Sequence, residues 1–393
     1  MNRAKNIDFI CFGGEDWWYH NRGHIDFQLM RRFAKKGRTL YINSIVMQKP
    51  KLGKNGKLIE KLSRKTKSIL KGLKKTDAGF WVYSPFSLPV HHIALLRQLN
   101  TITLQGQLRM VVHKLQIRNP VVWVACPAAC DVALKLKKHS LVYQRTDRFE
   151  EYPNVDVNLI KQYDQRLKAN ADLVIFVNYK LYEKEGGQCK KAIYLDHGVD
   201  YEMFASAEQN PDKPTDIAEI PKPIAGYFGA IDDHKLDIGY IETVVDLLPD
   251  VSFVFVGRPS INCSNLLSKK NVWMLGQKPY EQIPHYGKCF DVAIMTLRQN
   301  NWIEACNPIK LKEYLALGKP VVSTPFPELK KYQDIVYQAD SPEEFAKCIK
   351  RALAEDNPKR IVSRREKIQA STWESKAQLA LKELFGKDNN YGG

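Results

Sequence analysis

The chain has 393 residues, 44% of them hydrophobic, and a formal net charge of +17. That length allows two or three domains with sizeable cores, and the surplus of cations calls for an anionic partner: nucleic acid, a lipid surface or phosphorylated small molecules. The eight cysteines are scattered without a C-x-x-C pair, which argues against a disulfide framework or a zinc site and for reduced thiols in the cytosol. No run of about 18 apolar residues is present, so no membrane span is expected. The opening residues read as a short strand without the apolar core of a signal peptide.

In chain order, Ile7 to Phe12 reads as a buried strand broken by Gly13 and Gly14. A polar and aromatic loop follows, then a helix over 25–36 and a strand at Thr39–Ile42. Further strands are expected at Phe80–Tyr83, Val121–Ala125, Leu141–Gln144 and Leu173–Val177, with helical patterns within 89–115 and 157–169. Such alternation implies a parallel sheet covered by helices. The pattern restarts near Pro221: strands at 224–228, 252–256, 272–275, 292–296 and 320–323, and a helix over 238–248. A polar, Pro-rich stretch at 210–216 reads as the linker. The expected fold is α/β, with two Rossmann-like doubly wound domains, 1–205 and 217–371, facing across a cleft. A last amphipathic helix, within 372–393, either packs back on the first domain or closes the second.

Charge is concentrated from Lys49 to Lys75, where eleven Lys/Arg face one acid, Glu60. Leu58, Leu62, Ile69 and Leu73 interleave at helix-like spacing, so this stretch reads either as a helix lying on an anionic membrane or as a solvated basic loop. It has no aromatic residue to stack on bases, which argues against nucleic acid.

The most informative stretch is 307–320. Pro308 suits the first position of a helix, Lys310 and Glu313 lie three apart on one face, and Gly318 ends it before the strand at Val321. The unpaired N–H groups and dipole at such a helix start favour phosphate. The same spacing also describes an ordinary surface ion pair.

Four motifs together resemble two-domain glycosyltransferases of the GT-B fold, in particular the bacterial branch with the teichuronic-acid glycosyltransferases and the xanthan glucuronosyltransferase. They are the Gly13–Arg22 loop, Tyr143-x-x-x-Asp147, His197-Gly198-Val199-Asp200, and Asn307-Pro308-x-Lys310-x-x-Glu313-Tyr314. The resemblance implies that the N-terminal domain binds the acceptor. By the same resemblance the C-terminal domain would hold a nucleotide sugar, UDP-linked, with no metal or other cofactor. The sequence has no Asp-x-Asp pair to hold a divalent ion. On this reading Asn307, Pro308, Lys310 and Glu313 hold the donor together with Gly229, Arg258, Gln277 and Tyr280. Asp147 is the catalytic base of an inverting transfer. Asp16, Trp17, His20 and Arg22 meet a lipid-linked or glycan acceptor, and Arg22 neutralises an acceptor phosphate.

One departure bears on mechanism. Many transferases of this fold carry two Glu eight residues apart; Glu313 matches the second, but the first falls on Ala305, with Glu304 one residue off. That speaks against a retaining mechanism that relies on the first Glu. The expected protein is therefore a cytoplasmic transferase on the inner membrane face, making surface glycan. A nucleotide-sugar epimerase of the same fold, or a retaining glycosyltransferase, is the alternative.

Overall fold

The computed structural model describes residues 7–20, 22–45, 47, 57–88, 93–152 and 154–386. The chain divides into two compact units, the first made of residues 1–196 and 376–393 and the second of 197–375. The division falls after Asp196, ahead of the Pro-rich stretch, because the turns that follow Asp200 already pack on the second unit's helices.

The first unit is built on an eight-stranded sheet. Its strands are β1 (Phe9–Phe12), β2 (Thr39–Ile42), β3 (Leu73–Lys75), β4 (Trp81–Tyr83), β5 (Val121–Val124), β6 (Ser140–Arg145), β7 (Leu173–Phe176) and β8 (Ala192–Tyr194), in the order β3-β4-β2-β1-β5-β6-β7-β8. All neighbours pair parallel except β3 with β4. β1, β2, β5, β6 and β7 are buried along their whole length, as expected for strands covered on both faces. Three helices matter below: α1 (Ile25–Phe33), α2 (Lys57–Leu70) and α3 (Ala94–Lys114).

The basic stretch is thus split. Its middle is the helix α2, but Leu73 belongs to the edge strand β3, since Gly72 at φ +60° turns the chain back after Leu70. Residues 48–56 and the side chains at 57–62, Leu58 and Leu62 among them, lie outside the described set, as do Asn21, His91 and His92.

The second unit carries a six-stranded, all-parallel sheet in the order β11-β10-β9-β12-β13-β14. The strands are β9 (Ile224–Phe228), β10 (Ser252–Val256), β11 (Val272–Met274), β12 (Val292–Met295), β13 (Val321–Ser323) and β14 (Val336–Gln338). Strand order reverses between β9 and β12, and a doubly wound sheet binds its ligands at the carboxyl ends of strands beside such a point. The last helix, Trp373–Phe385, begins in the second unit and ends in the first. Within the first unit, Lys376 pairs with Asp196, Lys191 pairs with Glu383 at 2.9 Å, and Phe385 lies against His139.

Candidate active site

The helix Ile309–Ala316 runs between β12 and β13. Pro308 is its N-cap in extended conformation rather than its first turn, so the first helical N–H groups belong to Ile309 and Lys310. Those N–H groups lack helical acceptors and carry the positive end of the dipole. At the other end Gly318, at φ +78°, lets the chain turn out of the helix. The Gly318 N–H donates to the Leu315 carbonyl and the Lys319 N–H to that of Tyr314, both at 3.0 Å. Arg364 and Arg365 donate to the carbonyls of Gly318, Ala316 and Leu317. The helix is therefore anchored at its far end, which leaves its start as a fixed platform.

Lys310 reaches from this start to the end of β9. Its ammonium lies 4.2 Å from the centroid of the Tyr227 ring and donates to the Tyr227 hydroxyl at 2.5 Å. That hydroxyl in turn donates to the Ala230 carbonyl at 2.9 Å. Gly229, between them at φ +133°, has a second reason to be glycine: a Cβ there would stand 2.7 Å from the Lys310 nitrogen. Loss of solvent around the Lys310 ammonium pulls its pKa down to about 7, and the nearby Lys235 adds to the effect. Lys310 is thus a cation held short of its full charge, which an incoming anion would restore.

Glu313 lies one turn on, buried. Burial above all, with a smaller push from the charge of Asp200, lifts its pKa to about 7 against the Tyr280 hydroxyl and Lys310, which lower it. The Tyr280 hydroxyl also donates to Asp200 Oδ2 at 3.2 Å. Lys312, on the opposite side of the helix, donates to the His197 carbonyl and to Ser371 Oγ at 2.8 Å. The His197–Asp200 motif therefore supports the helix from below. Sequence reasoning singled out that motif but not the Asp200–Tyr280–Glu313 chain, and it missed Tyr227, which looks like any alternating strand tyrosine.

Not every expected donor residue joins this arrangement. Tyr280 is buried with its hydroxyl committed to Asp200 and Glu313, so it positions the carboxylate and is not open to a base. Gln277 and Arg258 are exposed at the ends of β11 and β10. Asn307 and Pro308 are half-buried at the helix start. Ala305 is buried, whereas Glu304 points outward in a 3-10 turn.

In the first unit, Asp147 is half-buried just past β6. Its Oδ2 accepts from the Tyr152 hydroxyl at 3.0 Å, and its carbonyl accepts from Arg145 at 2.9 Å. Arg145 is wholly buried; its guanidinium donates to both Glu150 oxygens at 3.0 Å and pairs with Asp164 at 3.2 Å. Lys168 closes the cluster on Asp164 and Glu185. The loop after β6 is thus pinned to a buried ionic network, which fixes where the Asp147 carboxylate stands.

The first loop corrects the acceptor assignment. Trp17 is 4% exposed and packs edge-on against Phe27 and Phe80, so it is core and cannot stack on a sugar. Asp16 is also buried, and accepts from Ser68 Oγ at 2.7 Å, the Trp18 N–H at 2.9 Å and Asn43 at 3.2 Å. It ties the loop to α2 and β2 and has no side available for a ligand. His20 and Arg22 are exposed, His20 pairing with Glu15 at 3.0 Å and Arg22 lying 4.9 Å from the Trp17 ring. Trp18 and Tyr19 are half-buried under the Lys71 ammonium. No group of three or more His, Cys, Asp or Glu placed to hold a metal occurs among the described residues.

A doubly wound sheet that is parallel but for β3 in the first unit, and an all-parallel one in the second, are the architecture of the GT-B fold. Residues 222–355 match the family model described as Glycosyl transferases group 1. Over 222 residues the chain is 29% identical to TuaH of Bacillus subtilis (strain 168), named for teichuronic acid biosynthesis as a glycosyltransferase. That match covers 53% of this chain and 55% of TuaH, about half the length of each. Among solved structures, sucrose-phosphate synthase from Thermosynechococcus elongatus superposes with a TM-score of 0.69 at 13% identity, over 96% of this chain and 98% of that one. Anabaena HepE in complex with UDP and glucose gives 0.64 at 13% identity, over 97% and 100%. At such identities the likeness is one of fold.

Proposed function

We propose that the protein is a glycosyltransferase that moves a sugar from a UDP-linked donor to a lipid-linked or glycan acceptor in surface-glycan synthesis. The observation that carries this is the pair at the start of the 309–316 helix: an ammonium held against the Tyr227 hydroxyl and ring beside the Gly229 turn, and a buried carboxylate one turn on. The first suits a diphosphate and the second a ribose diol. HepE, of the same fold, was captured with UDP and with UDP-glucose, which favours a uridine nucleotide here. The likeness to TuaH favours a cell-surface polymer as destination.

On this reading, as the glycosidic bond to the diphosphate breaks, negative charge builds on the leaving oxygen. Lys310 takes up a full charge against it, and the helix dipole adds to the stabilisation. The reading asks for no metal in that role. Asp147 removes the proton of the acceptor hydroxyl in an inverting displacement, its orientation set by Tyr152 and its backbone by Arg145. The buried Ala305 in place of a second carboxylate favours inversion over retention. We place the protein on the inner membrane face through the basic α2 region; no helix among the described residues is long and apolar enough to cross a membrane.

Incubation with a panel of UDP-sugars tests the reading. UDP release that depends on added acceptor and survives EDTA supports it. Return of an isomerised sugar nucleotide would instead identify an epimerase. No thermal stabilisation by any UDP-sugar would remove the donor assignment, because a ligand that binds the native state must raise its melting temperature.

A further inference from the structure

The helix α3 carries apolar side chains on two faces, and among the described residues only one of them is packed. Leu104, Leu108 and Val111 are buried against the first unit. Opposite them, Leu95, Leu99, Ile102 and Met110 are 68, 49, 63 and 68% exposed. Steps of four, three and eight residues keep all four on one stripe of a 3.6-residue helix. Isolated exposed leucines are normal, whereas a contiguous stripe of large apolar side chains marks a surface that something covers.

Two more apolar residues, Phe86 and Leu88, are exposed in the segment after β4 that is tied to α3. That segment is held down in an unusual way. The Gln107 side chain accepts from the Phe86 N–H at 2.9 Å and donates to the Phe86 carbonyl at 3.0 Å. Asn100 does the same for Leu88, at 2.9 and 2.8 Å. The hydroxyls of Thr101 and Thr103 donate back to helix carbonyls. The non-helical backbone groups at Phe86 and Leu88 therefore have partners within the protein, while their apolar side chains stand outward. Satisfied backbone under exposed apolar side chains is what a medium without hydrogen-bonding capacity demands.

Charge selects the occupant. Between Asp77 and Asp131 the sequence contains no acidic residue, while Arg109, Lys114 and Arg118 stand exposed toward the end of α3. A second copy of this chain would bring the same cations against them and be repelled; an anionic lipid surface would be attracted. We propose that the exposed α3 stripe, with Phe86 and Leu88, seats in the apolar layer of an anionic bilayer while its basic end contacts the headgroups. This deepens the membrane-facing part of the function proposed above and rests on it, but uses residues distinct from the basic α2 region.

Flotation of the full-length protein with phosphatidylcholine vesicles, with and without phosphatidylglycerol, tests the proposal. The wild-type chain is expected to float with the anionic vesicles. Leu99→Glu and Ile102→Glu should each weaken binding about tenfold, the worth of one large apolar side chain, without changing the melting temperature. Ile102→Trp should show an emission shift to shorter wavelength on adding vesicles. Flotation of Ile102→Glu at the wild-type level, or an unmoved Ile102→Trp spectrum, would overturn the assignment. So would a wild-type dimer that Ile102→Glu converts to monomer with no change in flotation, which would make the stripe a self-association face. Thermal stabilisation by UDP, measured on the same variants, keeps the two readings separate. Stabilisation retained with flotation lost points to the stripe alone; flotation retained in a chain that UDP never stabilises sinks the donor reading and leaves the stripe standing.

Discussion

Asp16 and Glu313 are both buried carboxylates in loops or helix starts beside strand ends, and they have opposite characters. Asp16 accepts from a serine, an asparagine and a backbone N–H, which use up its oxygens inside the first unit. Glu313 has a tyrosine hydroxyl for company, an anionic neighbour in Asp200, and a pKa lifted to about 7. The same contrast separates Trp17, wedged between Phe27 and Phe80, from Lys310, whose ammonium touches one hydroxyl and one ring face. A buried polar group with every partner supplied by its own fold is a tie in the structure. One held at a cost, with its charge half suppressed, is poised for a partner from outside.

Mutations can break that comparison. Asp147→Asn is expected to lower kcat on the order of a thousandfold, the scale of a lost general base, with donor affinity intact. A rate assay alongside UDP thermal shift checks this, and a normal rate would remove Asp147 from the chemistry. Lys310→Ala should cost on the order of a hundredfold in kcat/KM and abolish the UDP thermal shift. Trp17→Ala should do the reverse: about 3 kcal/mol lost in denaturant unfolding, as for other large core deletions, with the UDP shift unchanged. If Trp17→Ala instead raised acceptor KM without loss of stability, the first loop would regain its acceptor role.

The pH dependence sharpens the contrast further. Lys310, with a free-state pKa near 7, loses its charge as pH rises through that value. Glu313 gains its charge over the same range. The diphosphate of a nucleotide sugar does not titrate there, so UDP-sugar affinity should peak near pH 7. It should fall by up to about tenfold per pH unit on either side. Lys310→Arg should flatten the alkaline limb and Glu313→Gln the acid limb, both readable by calorimetry between pH 6 and 9. The smallest effect is expected for Lys71→Ala, about 0.5–1 kcal/mol from the lost contact with the Trp18 and Tyr19 rings, seen as a slight fall in melting temperature.

Much of the fold was legible in the chain. Runs such as Phe9–Phe12 and Val292–Met295 are apolar throughout because both faces of a parallel sheet are covered, and that signal is local. The short edge strands β3, β8 and β14 lie outside the strands expected from the sequence; each is three residues long and paired on one side only. The start of the 309–316 helix was legible too, through Lys310, Glu313 and Gly318 at their spacing. Its supports were not: Tyr227, Asp200 and Tyr280 come from three other segments.

By itself, then, the sequence determined the α/β class, the sites of most strands and helices, and the helix that carries Lys310 and Glu313. These rest on periodicity, turn chemistry and side chains close along the chain. Tertiary structure alone decided that Trp17 and Asp16 are interior, that Tyr280 serves Glu313, that Lys310 sits against Tyr227, and that one apolar face of α3 is left uncovered by the described residues. Burial is a property of what packs against a residue from distant segments. The same tryptophan or carboxylate is a wall, a tie or a ligand depending on neighbours that its own stretch of chain does not contain.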